Sequence, residues 1–156
     1  TIDDFSQYAP LVSVYCLNLC GVKGEHNMRD YTTILATSYI LMGITVNVMK
    51  TSINEQRPDG SGNNSFPSGH TATAFMGAEL LRHEYRNVSP WIGVAGYAVA
   101  AGTGFFRLSN NRHWFTDVVA GAGIGILSAK ASYWLFPYIS KKIFKNKPRK
   151  NVVANY

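Results

Sequence analysis

Residues 5–22, 31–49 and 87–106 contain no Asp, Glu, Lys or Arg, and residues 118–139 contain Lys130 as their one charge. Uncharged apolar runs of about 20 residues have the length needed to cross a bilayer as a helix. A further run, residues 69–81, is weaker: it carries Glu79, and Arg82, His83 and Glu84 crowd its end. The links "GVKGEHN" (21–27), "RPDGSGNNSFP" (57–67) and "RLSNNR" (107–112) are rich in turn-forming residues. No strand-like alternation interrupts this pattern, so the chain is expected to be all-α: a helical bundle of about five helices, transmembrane, over residues 1–140. A basic tail, 141–156, follows. Charged residues make up 15% of the chain, low for a soluble domain. The mean hydropathy of −0.06 is modest for a membrane protein and leaves a buried soluble bundle as the alternative. Gly93, Gly96 and Gly102, and Gly121, Gly123 and Gly125, are small residues of the kind that let membrane helices approach closely. "GAGIG" at 121–125 follows no strand, so a dinucleotide site is discounted.

Charge then orients the bundle. If the segments alternate across a bilayer, one side holds Lys50, Arg57, Arg107 and Arg112. The other holds Lys23, Arg29, Arg82, Arg86, Lys141, Lys142, Lys145, Lys147, Arg149 and Lys150. Ten basic residues against four place the second side in the cytoplasm. The tail suits either solvent or anionic headgroups. Basic residues elsewhere are scattered and no binding motif accompanies them, so nucleic acid is not an expected partner. Cys16 and Cys20 lack a histidine cluster and are expected to pack rather than bind metal. Thr1 in place of Met is expected of a processed or trimmed form.

The outward side collects the chemistry. Lys50 ends the second segment, and Arg57-Pro58 follows after six residues. Pro67-Ser68-Gly69-His70 opens the third segment, Arg107 closes the fourth, and His113 and Asp117 open the fifth, spaced to share one helical face. A phosphoryl group in transfer needs positioned cations. Lys50, Arg57 and Arg107 can supply them. A helix N-terminus after Pro67 can bind an anion, with Ser68 as a hydroxyl donor and Gly69 giving backbone access. His113 can act as nucleophile, oriented by Asp117, and His70 as the acid that protonates the leaving oxygen. These cations make a metal or other cofactor unnecessary.

The stretches "KTSINEQRP" (50–58), "PSGH" (67–70) and "FRLSNNRHWFTD" (106–117) resemble the signature of the type 2 phosphatidic acid phosphatase superfamily, which includes class A acid phosphatases and vanadium haloperoxidases. All three spacings match. The resemblance implies that Lys50, Arg57, Ser68, Gly69 and Arg107 bind phosphate, His113 becomes a phosphohistidine, Asp117 orients it and His70 is the general acid. It implies a metal-independent phosphatase of the bacterial inner membrane, facing the periplasm, with membrane lipids around it and a lipid phosphate as substrate. Phosphatidic acid, phosphatidylglycerol phosphate, undecaprenyl pyrophosphate and lipid A phosphates are all candidates. A soluble periplasmic acid phosphatase is the alternative. A vanadate-dependent oxidoreductase and a non-catalytic binding protein are weaker readings. The short chain counts against the oxidoreductase, and the intact His70, His113 and Asp117 count against the binding protein. Two features depart from the pattern. Phe106 stands where Ser usually precedes the Arg, and the Lys motif ends the second apolar segment rather than the third, as if one helix were absent or removed. Neither the lipid nor the oligomeric state is legible.

Overall fold

The computed structural model describes residues 2–144. They form α1 (Ile2–Ser6), α2 (Ala9–Leu19), α3 (Met28–Ser52), α4 (Gly69–Tyr85), α5 (Pro90–Ser109) and α6 (Phe115–Ile143), with no strand among the described residues. The all-α expectation holds, with one segment divided. Residues 5–22 do not form one helix, because Pro10 would set its ring against the carbonyl of Ser6. The chain instead breaks between α1 and α2 and restarts with Pro10 in the first turn of α2. Just past the C-cap of α2, Cys20, stands Gly21, whose φ of 91° suits a residue with no Cβ. Of the basic tail expected over 141–156, α6 takes residues as far as Ile143, and residues 145–156 lie outside those described.

The α4 helix is the axis of the bundle. Twelve of its positions, from Thr71 to Tyr85, are buried, and α2, α3, α5 and α6 all pack against it. The core joins Leu11, Val14, Tyr31, Ile34, Met76, Leu80, Tyr85 and Phe136. This position explains the charges in the weakest apolar segment: α4 faces protein, where ionised groups can be paired. Buried Glu79 accepts from Arg82 at 2.6 and 2.9 Å and from the Tyr97 hydroxyl. Buried Glu84 accepts from the His26 amide at 2.8 Å and the Tyr133 hydroxyl at 2.7 Å, and pairs with His26 Nδ1 at 2.9 Å. His83 stacks on Tyr133 at 3.6 Å. His26 and His83 are thus held by protein contacts at the end opposite the predicted site.

The α3 and α6 helices are long and apolar enough to cross a membrane, yet only 22% and 28% of their most apolar windows are buried. A core helix of a soluble protein would be mostly buried. Here Ile40, Ile44 and Val48 on α3, and Val119, Leu127 and Trp134 on α6, face outward. An apolar exterior of this extent suits lipid better than water, the environment of a membrane protein. Cys16 and Cys20 are exposed rather than packed, because α2 turns that face away from α4 into a groove beside α5.

The glycines divide into two groups. A Cβ at Gly125 would fall within bonding-clash range of the Ala72 carbonyl oxygen and 2.8 Å from the Met76 amide nitrogen, and a Cβ at Gly121 would overlap the Ser68 carbonyl. Gly93 and Gly96 likewise admit Arg82 and Leu81, whereas a Cβ at Gly102 or Gly123 would meet nothing within 4 Å. Close helix approach therefore requires four of the six glycines singled out in the sequence. Gly125→Ala should destabilise the protein by about 1–3 kcal/mol, since backbone atoms must shift. Gly123→Ala should leave stability unchanged to within about 1 kcal/mol. Denaturation of the two variants in the same detergent checks the contrast.

Candidate active site

One end of the bundle gathers the last turns of α3 and α5, the first turns of α4 and α6, the connections 53–68 and 110–114, and α1. Lys50, in the last turn of α3, donates from Nζ to the Asn64 carbonyl at 2.7 Å. Arg57 donates from Nε to Asn64 Oδ1 at 3.0 Å. Asn64 therefore aims both cations. The connection carrying them is built from its own backbone: the Arg57 amide donates to the Gly62 carbonyl at 2.8 Å, and the Ser65 amide to the Glu55 carbonyl at 3.0 Å. Trp114 Nε1 ties it to the α5–α6 connection through the Gln56 carbonyl at 2.9 Å. Exposed Arg112 is an ion-pair partner of Asp59 at 3.5 Å, which links the two connections.

Ser68 is the N-cap of α4. Its hydroxyl accepts from the Thr71 amide at 3.4 Å and shares a hydrogen bond with the Thr71 hydroxyl at 2.9 Å. The Ser68 amide donates to the Asp117 carbonyl at 3.0 Å, which fastens this helix entrance to α6. A Cβ at Gly69 would meet only Val46, at 4.0 Å. Packing within the protein thus does not require this glycine. His70 Nε2 lies 2.9 Å from Asp4 Oδ1. The same oxygen lies 3.9 Å from Arg107 Nη1.

His113 and Asp117 meet, but not as a stacked pair on one helical face. Trp114 caps α6, so His113 precedes the helix and Asp117 sits in its first turn. The imidazole is 3% exposed and the carboxylate fully buried. Asp117 Oδ2 accepts from the Ser65 hydroxyl and from the Trp114 amide at 2.9 Å, and faces His113 Nδ1 at 3.3 Å. With Nδ1 turned to a carboxylate, Nδ1 carries the proton and Nε2 keeps a lone pair. Burial pushes the His113 pKa down to about 4, helped by the positive charges of Arg107, Arg57 and Lys50 and opposed by Asp117. The ring is thus neutral at neutral pH, with a lone pair on Nε2.

Every residue picked from the motifs falls in this one region. Sequence reasoning missed the residues that hold them: Asn64 under Lys50 and Arg57, Ser65 on Asp117, and Asp4 on His70 and Arg107. Asn64 and Ser65 sit in the "NNSFPSGH" stretch, where proximity to the motif was a usable signal. No local signal marks Asp4. Chemically, the arrangement offers three cations for a phosphoryl dianion, a neutral imidazole to attack it and a second imidazole to manage a proton.

Comparison with known proteins points the same way. A family model described as PAP2, the PAP2 superfamily, matches residues 31–141. The lipid A 1-phosphatase of Porphyromonas gingivalis is 45% identical over 146 residues, covering 93% of this chain and 32% of that protein. The bacitracin transport permease protein BcrC of Bacillus licheniformis is 34% identical over 77 residues, 49% of this chain and 36% of that one. The chain thus spans about a third of the length of these curated relatives. Among solved structures, Aquifex aeolicus LpxE superposes with a TM-score of 0.67 at 24% identity, covering 85% of this chain and 84% of that one, a likeness of fold.

The depressed affinity of His113 for protons has a measurable sign. Its neutral form should persist as pH falls below 6.5 and be lost only near 4 in the ligand-free protein. An NMR titration of the ring should place the midpoint near 4, and Arg57→Gln should move it upward, toward 6.5, by removing one of the opposing charges.

Proposed function

We propose that this chain, which belongs to the PAP2 superfamily, hydrolyses a phosphate group of a membrane lipid through a phosphohistidine on His113. The observation that carries the reading is the pairing of a buried, neutral His113 with Asp117 beside Arg107, Arg57 and Lys50. In this reading Lys50, Arg57 and Arg107 bind the phosphate oxygens, and the Ser68 hydroxyl and the backbone at Gly69 complete the cradle. Charge developing on those oxygens in transfer is then met by fixed cations, with no reorganisation at the moment of reaction.

His113 Nε2 attacks phosphorus and forms a P–N bond as the bond to the leaving oxygen breaks. Asp117 holds Nδ1–H and stabilises the ring as positive charge develops. His70 delivers its proton to the leaving oxygen, so an alcohol departs. His70 then takes a proton from water, whose oxygen attacks phosphorus and breaks the P–N bond. Inorganic phosphate leaves, and both histidines return to their starting state.

The lipid A 1-phosphatase of P. gingivalis supports a lipid phosphate as the substrate class, with a lipid A phosphate first among the candidates. Orientation is part of the proposal. Lys23, Arg29, Arg82, Arg86, Lys141 and Lys142 belong to the ends of the helices away from the site. The positive-inside rule then turns the site to the periplasmic face of a bacterial inner membrane.

Phosphate release should be measured in detergent with EDTA present, across a panel of lipid phosphates and p-nitrophenyl phosphate. The wild type should release phosphate from a lipid in preference to the soluble ester. His113→Ala should lose at least about a thousandfold in kcat/KM, as expected when a nucleophile is removed. An unchanged rate in that variant would remove His113 from the mechanism. Faster turnover of the soluble ester would favour a broad acid phosphatase.

A further inference from the structure

We infer that Asp4 sets the leaving-group specificity of the site, favouring a phosphomonoester, whose leaving group is a neutral alcohol, over a pyrophosphate, whose leaving group is itself an anion. The inference deepens the phosphatase reading and rests on it. Its basis is the position of one carboxylate. Asp4 Oδ1 stands 2.9 Å from Nε2 of His70, the proposed acid, and 3.9 Å from Nη1 of Arg107, a proposed phosphate ligand. The group that links these two residues in the reaction is the scissile bond. Arg107 holds the phosphoryl side, and His70 serves the oxygen that leaves. Asp4 therefore puts negative charge at the leaving-group side of the site.

Its placement is built rather than incidental. The Ser6 hydroxyl bonds the Thr103 hydroxyl at 2.9 Å and fastens α1 to α5 one turn before Arg107. Buried Gln7 donates from Nε2 to the Asp4 carbonyl at 2.9 Å. The carboxylate is thus presented by a short helix that is anchored to α5 just beyond it.

Two consequences follow, and they act in opposite directions on the two substrate classes. An alkoxide is a poor leaving group and needs a proton as the P–O bond breaks. A carboxylate beside the imidazole favours its protonated form and so supports delivery of that proton. A pyrophosphate transfers its terminal phosphoryl group to His113 and releases a lipid phosphate, which departs as an anion without needing the proton. That anion would emerge beside the Asp4 carboxylate and be repelled by it. Asp4 is half exposed, so solvent weakens the repulsion without abolishing it.

The test compares wild type, Asp4→Asn and Asp4→Glu on an alkyl monophosphate and on the alkyl pyrophosphate of the same chain. In Asp4→Asn the ratio of kcat/KM for pyrophosphate over monophosphate should rise about tenfold, a change of about 1.4 kcal/mol. Asp4→Glu, which keeps the charge, should hold the ratio near that of the wild type. Parallel gains on both substrates would mean that Asp4 merely competes for Arg107, and parallel losses that it merely supports the fold. Either result, or an unchanged ratio, overturns the inference. Titration of the intrinsic tryptophan fluorescence with inorganic phosphate and with methylenediphosphonate makes the same comparison without turnover. Asp4→Asn should tighten the diphosphonate about tenfold relative to phosphate, and equal changes for both ligands would count against Asp4. Discrimination in binding without hydrolysis of any lipid phosphate would reject the phosphatase reading, and with it the leaving-group role, while an unchanged ratio in an enzyme that does hydrolyse lipid phosphates would overturn the Asp4 inference alone.

Discussion

The close approach of α4 and α6 governs the rest of the molecule. Gly125 lets the backbone of α6 touch that of α4 at Ala72, and Gly121 lets it touch the Ser68 carbonyl one turn nearer the site. One turn further, the Asp117 carbonyl accepts the Ser68 amide. The face of α6 that packs the bundle is therefore continuous with the face that holds the entrance of α4. The helix entrance, the carboxylate and the histidine beside it are thereby tied together. A side chain at Gly121 would alter the site as directly as one placed in it, because only hydrogen separates the two backbones there.

The two ends of the bundle handle charge differently. Away from the site, Glu79 and Glu84 are buried but matched by Arg82, Tyr97, His26 and Tyr133, so the central helix carries ionised groups without leaving them unpaired. Those pairs fix α4 against its neighbours. At the site end, Lys50, Arg57 and Arg107 converge near a single buried carboxylate, and their excess positive charge falls on His113. Like charges held close together in a partly buried place cost stability, and the cost is offset when an anion arrives. The field that adds to burial in keeping His113 unprotonated is the one that would draw a phosphate in. Neutral Asn64 can orient two of the cations without cancelling either.

The connection between α3 and α4 shows how a long loop becomes a precise support. It is held by its own backbone at Arg57 and Ser65, by Trp114 through the Gln56 carbonyl, and by the Arg112–Asp59 pair. Ser65 then reaches the Asp117 carboxylate, which faces His113. Asn64 and the backbone of the connection thus define where the cations stand. A loop supported this way can place a charge nearly as accurately as a helix end.

By itself the sequence determined the helical class, the order and approximate extent of the apolar segments, and the set of residues that would share one end of the bundle. Those features depend on local composition and on spacing along the chain, and Lys50, Arg57, Ser68, His70, Arg107, His113 and Asp117 were all legible in it. Local rules also contained the break at Pro10, although an apolar run conceals it until the carbonyl of Ser6 is considered. Only the tertiary structure decided the rest. It determined that α4 is central and can bury Glu79 and Glu84, that four of six candidate glycines are needed for packing, and that His113 stands before its helix rather than on it. It also brought Asp4 to His70 across 66 positions of sequence. The physical reason is the same in each case. Burial, pairing and the field at a titratable group are sums over neighbours supplied by other helices, and no spacing within one segment encodes which neighbours those will be.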